Sequence, residues 1–285
     1  MNDNLSILNW LVEAGADEAI TEQPVDRLVT RAIIPSPLPG EAGRTVPLPP
    51  SRGAARPPQD ALGRTSVLRT PQGEIVDTIG SAQAVAANAA TLDELKAALE
   101  AFDGCALKRT AAHTVFADGV AAGRVLFIGE APGRDEDRIG KPFVGRAGQL
   151  LDKMMASIGL DRKTNAYITN VINWRPPDNR DPTPEEAASC LPFLRRHIEL
   201  ANPGIIILLG AVAARHVVGA SEGIMKLRGR WLEYRVEGRM VPLMPTLHPA
   251  YLLRQPAHKK LAWRDLQAVR DKMQTLGLPQ MRDAG

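Results

Sequence analysis

Three side chains of different polar chemistry stand where short apolar runs end. Glu130 follows Val125–Ile128 through Gly129, Asn170 lies near the end of the run over 166–172, and His248 follows Val241–Leu247. Such runs suit strands buried on both faces. In open α/β sheets the carboxyl ends of parallel strands share one rim, and ligands bind in the crevice beside it. A carboxylate, an amide and an imidazole from distant parts of the chain are therefore expected to meet. Phe143, in the loop after the first run, is placed to roof them. Together these groups suit a planar, hydrogen-bonding ligand, and a nucleobase is such a ligand.

Taken singly, each feature is ordinary. Gly129-Glu130-Ala131-Pro132-Gly133 reads as a tight turn and matches neither the dinucleotide fingerprint nor the P-loop. Asp135, Glu136 and Asp137 read as a solvated charge run. His113, His197, His216 and His258 read as surface or internally satisfied positions.

The elements that must position these residues alternate from Arg124 onward. Strands are expected at 125–128, 166–172, 205–209, 231–236 and 241–247, and helices at 145–158, 211–218 and 259–276. Thr183-Pro184-Glu185-Glu186 opens a further helix with an N-cap, a first-position proline and a capping-box glutamate. Such alternation implies an α/β fold with a doubly wound parallel sheet and helices on both faces.

The 285 residues suffice for one sizeable core with appendages. Residues 1–34 read as an N-terminal amphipathic helical segment, 35–80 as a linker with eight prolines between Pro35 and Pro58, and 81–285 as the main domain that carries the strand-end residues. A net charge of +3 permits nucleic-acid binding without demanding it. Two cysteines, Cys105 and Cys190, exclude a disulfide framework and fit a reducing cytoplasm. No signal peptide and no membrane-spanning run are expected.

The ordered set GEAPGRDEDRIGKPFVGRAG, YITNVINWRPPDNR and TLHPAYLLR closely resembles the family 4 branch of the uracil-DNA glycosylase superfamily. The resemblance runs from about Cys105 to Met273. It implies a three-layer αβα domain with a central, mostly parallel four-stranded sheet. It also implies a monomeric repair enzyme that flips uracil out of DNA and hydrolyses the N-glycosidic bond. Gly129, Ala131 and Gly133 would line the base pocket, Phe143 would stack on uracil and Asn170 would read its O4 and N3 edge. His248 would donate to O2, and Glu130 would lie against the base or the attacking water. Arg175 would contact DNA, and Tyr251, Leu252, Leu253 and Arg254 would form a loop entering the duplex.

Two departures qualify the resemblance. Family 4 holds a [4Fe-4S] cluster on four cysteines, whereas Phe102 and Trp174 occupy two of those positions here. Two thiolates cannot hold a cubane, so no metal and no cofactor is expected. The superfamily's best-known branch places a water-orienting Asp at the position of Ala131 and a methyl-blocking Tyr at that of Gly133. The catalytic carboxylate must then come from elsewhere: Glu130 first, then Asp137, Glu136 or Asp135. The competing reading is a non-catalytic or product-trapping uracil-DNA-binding protein. A related trapping branch carries an Arg-rich insertion after the first motif, and none lies between Gly145 and Leu160.

Overall fold

The structure, a computed structural model, describes residues 78–279. The expected amphipathic segment of 1–34 and most of the linker lie outside the described residues. The first described helix opens at Thr78, ahead of the domain boundary expected at 81.

In chain order the elements are α1 (Thr78–Ala87), α2 (Leu92–Ala101), β1 (Ala117–Gly119), β2 (Val125–Gly129), α3 (Arg134–Ile139), α4 (Arg146–Ala156), β3 (Ala166–Asn170), α5 (Pro184–Ala201), β4 (Ile205–Leu209), α6 (Ala211–Val218), α7 (Ile224–Leu227), β5 (Leu232–Val236), β6 (Arg239–Thr246), α8 (Pro249–Arg254) and α9 (Lys259–Thr275). The sheet runs β1-β3-β2-β4-β6-β5. Its centre is the four parallel strands β3, β2, β4 and β6, and antiparallel edge strands β1 and β5 extend it to six.

Strand alternation sorts the core into two layers. Val125 and Phe127 of β2 face Leu151 and Met154 of α4, Leu252 of α8 and Trp263 and Leu266 of α9. Leu126 and Ile128 face the opposite layer, with Leu95 of α2, Phe193 of α5 and Ala213 of α6. This is the αβα sandwich. The capping box at α5 closes in both directions: the Glu186 amide donates to Thr183 Oγ1 at 3.2 Å, and the Thr183 amide donates to Glu186 Oε2 at 2.8 Å. Among the described residues no helix is long and apolar enough to cross a membrane.

His197 of α5 is 2% exposed, stacks on Phe116 at 4.2 Å between ring centroids and shares a 2.9 Å hydrogen bond with the Tyr167 hydroxyl. Burial pushes its pKa down to about 3. An unfolded imidazole titrates near 6.5, so the unfolded chain takes up the proton first. The stability held by neutral His197 is complete above about pH 6.5 and is lost as pH falls toward 3. Urea unfolding is expected to show a loss of about 2 kcal/mol from this residue between pH 7 and pH 5. A His197→Gln variant should show a shallower pH slope; an unchanged slope would mean that His197 charges freely in the fold.

Candidate active site

The crevice forms at the carboxyl ends of β2, β3 and β6. Parallel pairing sets Gly129 beside Asn170, the last residues of β2 and β3. A Cβ on Gly129 would lie 2.4 Å from Asn170 Oδ1 and 2.5 Å from Phe143 Cζ. Only glycine lets the amide and the ring meet over the strand end. The cavity holds about 170 Å³ and is lined by Ala131, Gly133, Glu136, Phe143, Ala147, Asn170, His248 and Ala250. That is below the roughly 300–1,000 Å³ of drug-sized sites, so its scale is one small ring.

Asn170 is 2% exposed, and its Oδ1 has no hydrogen-bond partner among the described residues. A buried unpaired acceptor costs about 1–3 kcal/mol, and such an atom lining a cavity points to a donor on a ligand. His248 caps α8, its Nδ1 accepting from the Ala250 amide at 3.1 Å. A backbone N–H can only donate, so Nδ1 carries the lone pair and the proton sits on Nε2. Burial, and secondly the Arg254 guanidinium, push His248 down to about 4. The imidazole is therefore a neutral donor at neutral pH. Its ring lies 5.6 Å from that of Phe143, tilted by 34°.

The structure redistributes the carboxylates. Glu130 continues the β2 alternation on the side of Leu126 and Ile128, away from Asn170 and Phe143, and does not line the cavity. Burial and then the Asp181 charge raise its pKa, opposed by Arg215 of α6. Asp137 is a structural anchor rather than a crevice residue. It is buried, and its Oδ1 accepts from the Ala112 and His113 amides at 2.8 and 3.2 Å. Glu136, expected only as a third choice, is the carboxylate of the crevice. Its Oε1 accepts from the Val144 and Gly145 amides, each at 2.9 Å. Its Oε2 has no hydrogen-bond partner among the described residues and sits where a Cβ on Gly133 would come within 2.8 Å.

The segment expected to form a duplex-entering loop is instead helix α8. Successive residues turn about 100° on a helix, which splits the four side chains. Leu252 is fully buried in the core, so it is not available as a wedge. Tyr251 donates or accepts at 2.7 Å with His258 Nδ1 and stacks on that ring. Leu253 is half-buried and Arg254 exposed. Arg175 is half-buried and donates through Nε to Asn179 Oδ1 at 2.8 Å.

A model of the uracil DNA glycosylase superfamily matches residues 116–267. The chain belongs to the uracil DNA glycosylase superfamily. Curated relatives include the type-4 uracil-DNA glycosylase of Thermotoga maritima, 40% identical over 169 residues, covering 58% of this chain and 86% of the relative. That of Archaeoglobus fulgidus is 41% identical over 170 residues, covering 58% and 85%. That of Sulfurisphaera tokodaii is 34% identical over 186 residues, covering 64% and 84%.

The residues of this glycosylase-superfamily chain do not fit a four-thiolate cluster. Its two thiols, Cys105 and Cys190, are buried side by side, and their hydrogen bond holds Cys105 below and Cys190 above the usual thiol range. Where two further ligands would stand, Phe102 packs on Phe193 at 5.0 Å, and Trp174, 1% exposed, donates to Thr114 Oγ1 at 3.0 Å. Rings fill this volume. Trp174→Ala is expected to cost about 3–5 kcal/mol in urea unfolding. A cost below about 1 kcal/mol would show that the indole is not packed as described.

Proposed function

We propose that this chain is a monofunctional uracil-DNA glycosylase that takes an extruded uracil into the crevice and hydrolyses its N-glycosidic bond. The observation that carries the reading is the unpaired, buried Asn170 Oδ1 at the end of a small cavity walled by an aromatic ring. Uracil presents a donor at N3; cytosine presents an acceptor there and would leave Asn170 facing a lone pair. The relatives named type-4 uracil-DNA glycosylases support the same substrate.

In this reading Phe143 stacks on the base, Asn170 Oδ1 accepts a hydrogen bond from N3–H and the His248 Nε2–H donates to O2. As the C1′–N1 bond breaks, its electron pair leaves with the base and the sugar becomes an oxocarbenium. Charge grows on O2, where a donor already in place stabilises the transition state more than the ground state. Water adds at C1′ and gives its proton to the free Oε2 of Glu136. Ala131 and Gly133 shape the floor. Gly133 offers no side chain against a methyl group, so rejection of thymine rests on the fit around Phe143 and on the cost of opening a sound pair. Arg134, Arg138, Arg146 and Arg254, exposed on α3, α4 and α8 around the crevice, supply phosphate contacts. Leu253, not Leu252, is the apolar side chain placed to enter the stack. No step needs an iron–sulfur cluster.

The test is a uracil-containing oligonucleotide incubated with excess iron-free protein and treated with alkali, with cytosine and thymine controls. Strand cleavage is expected for uracil alone. Asn170→Ala, His248→Ala and Glu136→Gln should each lower the single-turnover rate by about 10²-fold or more, while non-specific DNA affinity barely changes because phosphates dominate it. The rate should not fall as pH drops from 8 to 6 on account of His248, because that group charges only near pH 4. No cleavage by the parent, or variants as fast as the parent, would overturn the assignment.

A further inference from the structure

Phe143 holds a backbone conformation that its side chain does not favour. Its φ is +52°, in the left-handed region, although it is not glycine. Residues there persist only when their surroundings over-determine them. The surroundings here converge on one side chain outside the crevice. Arg162, in the turn between α4 and β3, donates from Nη1 to the Pro142 carbonyl at 3.1 Å and from Nη2 to the Phe143 carbonyl at 2.8 Å. These carbonyls lie on either side of the Phe143 Cα, so holding both fixes its two dihedrals.

The guanidinium is itself held. Nη1 meets Asp118 Oδ2 of β1 at 3.0 Å, and Nε meets Asp152 Oδ1 of α4 at 2.8 Å. Its side chain is 13% exposed, so these contacts are only partly screened by water. The next two amides, Val144 and Gly145, are taken by Glu136 Oε1. The loop is thus gripped by its carbonyls from Arg162 and by its amides from Glu136. On the α4 side a Cβ at Gly148 would lie 1.8 Å from the Phe143 oxygen, so the helix closes over the pinned carbonyl.

We propose that Arg162 is a positioning residue that locks Phe143 in its left-handed conformation and so holds the aromatic platform of the crevice at stacking height. This rests on the reading of Phe143 as the base-stacking residue. Lysine does not replace it: an ammonium is a point donor, whereas two carbonyls and two carboxylates around one centre need the planar fork.

The experiment is a double-mutant cycle of Arg162→Ala and Phe143→Ala, read by single-turnover cleavage of a uracil oligonucleotide. Amide hydrogen exchange at Val144 and Gly145 is measured in parallel. Arg162→Ala should slow the parent by about 10–100-fold, the scale of a misplaced contact. It should change the Phe143→Ala variant by no more than about twofold, because coupled residues do not add. Arg162→Lys, which keeps the charge between Asp118 and Asp152, should fold like the parent and still lose rate. In both Arg162 variants Val144 and Gly145 should exchange faster while β4 is unaffected. Equal slowing in both backgrounds, or unchanged exchange at 144 and 145, would overturn the proposal. If Phe143→Ala instead cleaves as fast as the parent, the stacking role fails, and the exchange data alone decide whether Arg162 holds the loop.

Discussion

The parallel pairing of Gly129 with Asn170 is the constraint on which the site depends. It brings two strand ends to the same level of the rim, and the missing Cβ of Gly129 leaves the gap in which the Phe143 ring and the Asn170 amide approach each other. A one-residue slip would turn Asn170 toward the opposite layer, because side chains alternate along a strand. Register is therefore both the folding and the functional requirement, and it is fixed by Val125, Phe127 and Ile168 packing beneath the crevice.

The parts legible in the sequence were those that follow from strand ends. Apolar runs with polar residues after them located β2, β3, β4 and β6, and with them Asn170 and His248. The carboxylate was harder because it depends on which way a turn faces. Glu130 adjoins the motif glycine, but the two-residue period of β2 sends it to the side of Arg215 and Asp181. Glu136 and Asp137 lie in a stretch with no apolar periodicity, which reads as a charged loop. The structure makes it helix α3, with its acidic residues in the first turn, where the helix dipole favours them. One helical step then separates a crevice carboxylate from an anchor. Leu252 was misplaced for the same reason: a helix buries one of two adjacent leucines. Arg162 carried no sequence signal, since its role comes from carbonyls whose direction only the folded backbone reveals.

The second layer is built from aromatic rings packed in the same core as two buried thiols. Cys105 and Cys190 share this core with the aromatic rings of Phe102 and Trp174. Phe102 packs on Phe193, and the Trp174 indole donates to Thr114 Oγ1. That layer lies across the sheet from the crevice. Asn170, Phe143 and His248 are supported instead by α4, α8 and α9, which belong to the other core.

The central claim is that Asn170 Oδ1 waits for the N3 donor of uracil. A titration of isotope-labelled protein with free uracil, following the Asn170 side-chain amide and the His248 Nε2 proton by NMR, tests it most directly. The account predicts saturable shifts at both groups with uracil and none at Asn170 with cytosine at the same concentration. Shifts mapping to another surface, or equal responses to the two bases, would contradict it.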